Sequence, residues 1–329
     1  MAPGLDKRFL KEDEVIDSVY TTLSTVSLAE QLLPKRKKSR NSNGGAFNTL
    51  RGKGFYFEDS QDIRFSSVDL FYKRSSIRDG LDMSLDLGSF EIEKKALNRY
   101  TGIRYGATVF FNNWSFRLGT NVYDDFSEVV PTLRYENRYE NHAYSIEFTR
   151  QNALFYTYSL SPYETRLSVN HLEVQDAVEF ERNRSLWISL SIDAFDDGNT
   201  AVTPQFDYQF YYDTLIEPDL SYTLALEGWY TAHSTPNEDY YSPDFYDSTL
   251  IRIDPHYYFS KAIRLEMKAG LGYSIYNNAM HYKYGAWLMG EALEDLGYSL
   301  GCLKSNSARG SSSGDYDYLE CKAELVYRW

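Results

Sequence analysis

The chain has 329 residues and a formal charge of −13, with 47 acidic and 34 basic side chains, and it holds 30 tyrosines and 19 phenylalanines. No apolar run approaches the ~18 to 20 residues that a membrane-spanning helix needs, so a helical membrane protein is excluded. The length alone fits one large domain or two small ones.

The first 44 residues differ from the rest of the chain. Apolar residues recur at near-helical spacing between Glu12 and Leu33, and a basic run from Lys35 to Arg40 follows. This pattern predicts a short helical extension and a linker over residues 1–44, either part of a larger N-terminal scaffold or a fraying tail. Because Met1 leads into charged residues without an apolar stretch, we find no secretory signal and expect a fragment of a longer protein.

From Gly45 onward, apolar and polar residues alternate with a period of two. In the last stretch Leu325, Tyr327 and Trp329 share one face, and charged Glu324 and Arg328 share the other. Such alternation is typical of strands with one apolar and one polar face. We count sixteen strands, with fourteen or eighteen as alternatives: 45–57, 62–74, 80–95, 97–111, 114–125, 128–140, 142–153, 163–181, 184–198, 200–218, 220–234, 247–262, 263–278, 279–295, 296–308 and 315–329.

The connections between these strands divide into two groups. If the first strand runs outward, tight turns fall at the inner end, and the three longest connections, 154–162, 235–246 and 305–314, fall at the outer end. Outer-membrane barrels have short periplasmic turns and longer external loops. The predicted tight turns are 112–113, 140–141, 182–183, 217–219, 260–261 and 294–295.

These patterns predict an all-β protein: a transmembrane, antiparallel, up-and-down β-barrel of about 16 strands over residues 45–329, in the bacterial outer membrane. Within a bilayer, strands satisfy their backbone hydrogen bonds only in a closed barrel. A soluble β-sandwich would show the same alternation, but it rarely needs so long a strand series.

Charged residues on the inward-facing positions outline a polar lumen. The excess of carboxylates over arginines predicts a net negative charge, which would attract cations and disfavour nucleic acid and other polyanions. Alternatively, the carboxylates pair with the arginines and only brace the wall. The acidic set is Asp82, Asp86, Glu136, Glu147, Asp193, Asp207, Glu227, Asp254, Glu266, Glu320 and Glu324, and the basic set is Arg104, Arg117, Arg134, Arg252, Arg264 and Arg328.

Three aromatic residues, Trp187, Tyr211 and Trp229, share the inward positions with these carboxylates. Aromatic faces stack on sugar rings, and a nearby carboxylate can pair with an amino sugar. The candidate binding residues of the lumen are therefore these three together with Asp207, Glu227, Asp254, Glu266, Glu147, Glu320 and Glu324. Packing between the wall and a plug would explain the same aromatic residues.

Cys302 and Cys321 lie equally far from a loop centre near Ser311, on neighbouring predicted strands. A tight hairpin register would place them opposite each other, so we predict a cross-strand disulfide, which the oxidising periplasm permits. A nonlocal bridge and two free lipid-facing thiols are the alternatives.

A short motif goes beyond generic barrel features. Tyr240, Tyr241, Ser242 and Pro243 lie on a long predicted external loop before a long strand. This segment, with the aromatic C-terminus, resembles the signature of C-terminal porin domains in outer-membrane exopolysaccharide exporters, the secretion porins for cellulose, poly-N-acetylglucosamine and Pel. The motif covers residues 240–246 and the terminus, and the architecture covers 45–329.

The resemblance implies passive export of a biofilm polysaccharide through the barrel. It implies outer-membrane lipid around the wall, an inner-membrane synthase that pushes the polymer, and a periplasmic tetratricopeptide scaffold before the barrel, although no such repeat is visible here. The acidic lumen favours a cationic, partly deacetylated amino-sugar polymer, and loops 235–246 and 154–162 are expected to gate the exit.

Three other classes fit parts of the pattern. A general or nutrient-specific diffusion porin is the main alternative, and an adhesin or structural barrel would have a plugged lumen. His142 lies near Ser145, and His256 near Asp254, but no further catalytic signature surrounds them, so we expect no enzymatic activity. We see no metal-binding cluster and no phosphate-cradling glycine loop, so no metal or cofactor is expected.

Overall fold

The computed structural model describes residues 47–329 except 61, 76–80, 95–97, 140, 158–159, 181–183, 218, 238–243, 261, 277, 294 and 307–316. The predicted helical extension over residues 1–44 and the motif Tyr240–Pro243 lie outside the described residues. Among the residues that are described, no helix is long and apolar enough to cross a membrane.

Sixteen antiparallel strands form one closed barrel, in which β1 pairs with both β2 and β16. The strands are β1 Phe47–Asp59, β2 Ile63–Ser75, β3 Leu81–Lys94, β4 Arg99–Phe111, β5 Trp114–Tyr123, β6 Ser127–Tyr139, β7 His142–Asn152, β8 Ser168–Phe180, β9 Arg184–Phe195, β10 Thr200–Glu217, β11 Leu220–His233, β12 Phe245–Ser260, β13 Ile263–Ser274, β14 Ala279–Leu293, β15 Leu296–Ser305 and β16 Tyr318–Arg328. The predicted up-and-down barrel and its strand number are confirmed.

The connections sort to the two ends of the barrel as expected. Short turns such as 112–113 and 294–295 share one end with the start of β1, and the three longest connections, 153–167, 234–244 and 306–317, share the other. We call these the periplasmic end and the external end. The start of β8 differs most from its prediction, because residues 161–164 form a helical turn instead of extending the strand.

The outward face forms an apolar band around the barrel. Leu85, Ile251 and Leu271 each expose more than half of their surface on this face. Aromatic rings gather at its periplasmic edge, where Tyr327 stacks on Trp329 with ring centroids 5.3 Å apart. Lipid-facing apolar residues flanked by aromatic girdles are typical of transmembrane barrels.

The two cysteines lie on this outward face. Cys302 of β15 is directly opposite Cys321 of β16 in the register, and the two form a disulfide. The pairing joins the last two strands of the chain next to the seam where β16 meets β1.

Candidate functional site: the barrel lumen

The connection between β7 and β8 folds into the lumen at the external end. We call its described residues, 153–157 and 160–167, the plug; they contain two single-turn helices, α1 Leu154–Thr157 and α2 Ser161–Glu164. Its buried residues Leu154, Leu160 and Tyr163 join a hydrophobic cluster with inward-facing side chains of β1–β5. Those wall residues are Phe57, Ile63, Phe65, Phe90, Ile92 and Tyr123. The plug therefore occupies one side of the lumen and leaves the other side open.

Asn152, at the end of β7, anchors the plug. This fully buried side chain donates to the carbonyl oxygen of Pro162 at 3.1 Å and accepts from the Leu154 N–H at 2.9 Å. Its backbone N–H donates to Glu128 Oε1 on β6 at 3.0 Å. One side chain thus ties both helical turns of the plug to the end of β7.

Tyr163 fixes the second turn of the plug to the external rim. Its ring stacks on Tyr100 with centroids 4.0 Å apart, and its hydroxyl donates to Asp125 Oδ1 at 3.2 Å. Burial, and then the negative charge of Asp125, raise the pKa of Tyr163 to about 12. Arg166, whose backbone has a positive φ of 56°, binds the same carboxylate at 3.3 Å.

The described residues line two cavities in the lumen. The external cavity, of about 490 Å³, is lined mainly by β8–β16, and the periplasmic cavity, of about 830 Å³, is lined by β1–β7. Tyr156, at the tip of the plug, lines both. Its ring lies 4.7 Å from that of His171, which binds Asp193 at 2.6 Å. Tyr156 therefore lies between the two cavities.

The predicted inward carboxylates do face inward, but each is paired. All eleven lie within 3.5 Å of a basic side chain: Asp82 of Lys73, Asp86 of Arg117, Glu136 and Glu147 of Arg134, Asp193 of His171, Asp207, Glu227 and Asp254 of Arg252, Glu266 of Arg264, Glu320 of Lys322, and Glu324 of Arg51. This pairing agrees with the alternative prediction, in which the carboxylates bind basic side chains and stabilise the wall.

The predicted net negative charge of the lumen is corrected by the lining of the cavities. Seven lysines and arginines but four carboxylates line the periplasmic cavity. Four lysines and arginines and five carboxylates line the external cavity. The predicted inward basic set contains only arginines. Strand pairing also places five lysines inside: Lys53, Lys73, Lys268, Lys283 and Lys322. The lumen is close to charge balance.

Arg252 is the centre of the densest ion-pair cluster. It is 3% exposed and binds Asp207 at 2.8 Å, Asp254 at 2.9 Å and Glu227 at 2.5 Å. Lys283 pairs with the other oxygen of Glu227. The three candidate carboxylates here are therefore held by the wall, because each already has a buried cationic partner.

The candidate aromatic residues differ in what they offer a solute. Trp229 is half-buried, lines the external cavity, and meets Tyr246 edge-on at 5.0 Å. Trp187 is 2% exposed and packs with Ala143 and Ala177, so its ring faces are covered. The prediction that this ring stacks on a sugar is therefore wrong. The sequence analysis missed Trp287, an inward, half-buried residue of the external cavity.

The remaining candidates lie apart from this cluster. Glu147 lines the periplasmic cavity and Glu320 the external cavity, whereas Glu266 and Glu324 face inward within ion pairs. The register shifts between Gln209 and Tyr211, so that Tyr211 lies opposite Leu224, and its side chain is outside the described part.

The predicted proximity of His142 and Ser145 is not a catalytic arrangement in this fold. The two residues alternate along β7, and the His142 imidazole pairs with Asp176 on the outward face. Ser145 is buried on the inward face, level with Gln175. A histidine on the opposite side of the wall is out of reach of the hydroxyl.

No protein-family model and no curated protein matches the sequence. Among solved structures, a bacterial polysaccharide outer membrane secretin is 11% identical and aligns with a TM-score of 0.67 over 86% of this chain and 98% of its own. CdiB from Acinetobacter baumannii is 9% identical, with a TM-score of 0.50 over 86% of this chain and 60% of its own. OccK11 from Pseudomonas aeruginosa is 11% identical, with a TM-score of 0.40 over 86% and 95%.

At these identities the likeness concerns the fold alone. The closed sixteen-strand barrel, its lipid-facing apolar band and its polar lumen define an outer-membrane β-barrel of the channel type. A closed barrel whose apolar band faces outward places the protein in the bacterial outer membrane.

Proposed function

We propose that this protein is an outer-membrane channel that exports an exopolysaccharide by passive conduction. The observation that carries the proposal is a lumen with two cavities joined at Tyr156 and lined by aromatic rings and paired charges. The fold similarity to a polysaccharide secretin supports it. A periplasmic scaffold and an inner-membrane synthase would supply the polymer, and the transport needs no catalytic residue.

The balance of charge in the lumen favours a polymer of low charge density. A densely cationic or anionic chain would have to compete with ion pairs that are already formed, at the cost of leaving one buried partner uncompensated. Paired charges nevertheless keep spare donors and acceptors for sugar hydroxyls. An amino-sugar polymer that keeps most of its acetyl groups carries little charge and fits this lining. We propose this cargo in place of the more cationic polymer that the sequence predicts.

Export through this lumen requires the plug to yield at its tip. Tyr156 and Thr157 are half-buried and line the cavities, whereas Asn152 and Leu154 behind them are fully buried. We expect these two tip residues to move while the anchor stays in place, because they are less buried. The gating role expected of residues 154–162 is thus proposed for Tyr156 and Thr157, inside the barrel.

A diffusion porin for small solutes is the second candidate, and the cavity sizes favour it. Volumes of about 490 and 830 Å³ fall in the range of roughly 300 to 1,000 Å³ that small-molecule sites occupy. A porin would pass single sugars or similar nutrients past a closed plug, whereas an exporter must bind several connected sugar units.

Single-channel conductance in planar bilayers separates the two. We expect current that is blocked most strongly by chitin-type oligosaccharides, less by fully deacetylated glucosamine oligomers and least by oligouronates. Tyr156→Ala should raise the conductance and weaken the block, because it widens the junction. Tyr105→Ala, on the outward face at 48% exposure, is the matched control and should change neither. A wild-type current that no oligosaccharide blocks would favour the porin.

A further inference from the structure

Two neighbouring residues of the lumen wall carry buried polar atoms that the wall does not satisfy. Asp207 of β10 lies directly opposite Trp187 of β9 in the register, and both line the external cavity. Their side chains belong to residues that are 5% and 2% exposed. Neither Trp187 Nε1 nor Asp207 Oδ1 has a hydrogen-bond partner among the described residues.

Such atoms call for an explanation, since most buried polar atoms in folded proteins are hydrogen-bonded. A buried donor or acceptor without a partner is unfavourable by its full cost of desolvation. Trp187 Nε1–H can only donate, and a carboxylate oxygen such as Asp207 Oδ1 accepts. A molecule that satisfies both must therefore present an acceptor and a donor.

Both atoms are held in place by the surrounding wall. The other oxygen of Asp207 binds Arg252 at 2.8 Å, and Arg252 is fixed in turn by Glu227 and Asp254. The indole of Trp187 packs with Ala143 of β7 and Ala177 of β8, and this contact holds the ring in place. The N–H is the single polar group of the indole. The donor and the acceptor are thus preorganised, which lowers the entropic cost of binding.

We propose that Trp187 and Asp207 form a subsite for one sugar unit of the transported polymer, an inference that rests on the proposed export function. The sugar accepts a hydrogen bond from Trp187 Nε1–H and donates one to Asp207 Oδ1. Hydroxyl groups can do both, and an acetamido group offers a carbonyl acceptor and an N–H donor. Trp187 acts here through its N–H and not through stacking, for which the half-buried Trp229 lines the same cavity.

The test compares oligosaccharide block of the full-length channel and its variants in planar bilayers. Trp187→Phe keeps the ring over the alanines and removes the N–H, and we expect the block to weaken about three- to tenfold. Asp207→Asn replaces a charged acceptor by a neutral amide and should weaken it about tenfold or more. Trp329→Phe makes the same change on the outward face, away from both cavities, and should leave the block unchanged.

Two oligomer series identify the group that binds. A larger loss for chitin-type than for cellulose-type oligomers assigns the contact to the acetamido group, and equal losses assign it to hydroxyls. If oligosaccharides block the wild type and the Trp187→Phe variant equally well, the subsite is overturned while the export function stands. A lower melting temperature with unchanged block would show that the two residues serve the stability of the wall and not sugar binding, which also overturns the subsite. A wild type that no oligomer blocks removes the proposed function itself.

Discussion

The external ends of β1–β5 and the middle of β8–β14 use the same strand alternation in opposite ways. Under the plug, the inward side chains are apolar, as with Phe57 and Phe90, and the outward ones are charged. Arg64, for example, faces outward and binds Glu58 at 3.0 Å and Glu93 at 3.1 Å. Across the lumen, the inward side chains are Arg252 and its carboxylate partners.

Alternation therefore reports the medium on each side of a strand and not the direction of the lumen. Where lipid lies outside and the cavity inside, the apolar set faces out. Where the plug covers the inner side of the strand, the apolar set faces in. The two walls also differ in their forces, because apolar burial is non-directional whereas buried ion pairs require fixed geometry.

Removing the plug should change the channel more than any other variant considered below. Replacing residues 153–167 with a short glycine-containing turn should raise the single-channel conductance several-fold, because the side of the lumen under the plug becomes open. Shortening the 234–244 connection in the same way is the control, and a rise of equal size there would contradict the assignment of the constriction to the plug. The apolar wall of β1–β5 should also bind hydrophobic dyes in the plug-deleted protein.

On the opposite wall, Arg252→Met should cost about 3–5 kcal/mol of unfolding free energy, because it leaves a cluster of buried carboxylates without this partner. Denaturant unfolding in detergent measures the loss. The matched change Arg99→Met breaks an outward, exposed ion pair with Glu91 of 2.6 Å and should leave the unfolding free energy nearly unchanged, because solvent screens this pair. Similar losses in the two variants would show that burial does not distinguish the two pairs.

Asn152→Ala should loosen the plug without opening the barrel. It removes the hydrogen bonds to Pro162 and Leu154 and leaves buried backbone groups unsatisfied, at about 1–3 kcal/mol. We expect frequent transitions to a higher conductance level in single-channel records. Asn170→Ala is the control: on the outward face it loses a hydrogen bond of 3.0 Å from Arg150. Its single-channel records should show no additional transitions.

The smallest effect is expected at Tyr163. Tyr163→Phe removes the bond to Asp125 and should weaken plug docking by about 0.5–1.5 kcal/mol at neutral pH. In the wild type the folded pKa of about 12 lies above the ordinary tyrosine pKa of about 10, so the docked plug holds this proton more tightly. That stabilisation is complete below pH ~10 and is lost as the pH rises toward about 12.

Conductance recorded between pH 9 and 12 tests the titration of Tyr163. The wild-type plug should open increasingly over this range, and Tyr163→Phe should lack the part of the change that this hydroxyl causes. Identical pH profiles for the two proteins would contradict the assignment.

Much of the architecture follows from the sequence because a barrel wall has two different solvents. Leu265, Met267 and Leu271 alternate with charged or small residues, and this period of two gives the strand, its face and its membrane environment together. The equal spacing of Cys302 and Cys321 from their loop gave their pairing for the same reason, since a hairpin register is set locally.

The alternation and spacing of residues predicted the fold class, the strand number, the sorting of the loops and the inward carboxylates. Contacts in three dimensions were needed to show that the plug enters the lumen, that Trp187 is covered by alanines from β7 and β8, and that the carboxylates are neutralised by partners. These facts depend on which side chains meet across strands distant in sequence, or across the lumen itself. Local alternation reports which face a side chain takes but not what it meets there, and closing the barrel settles that.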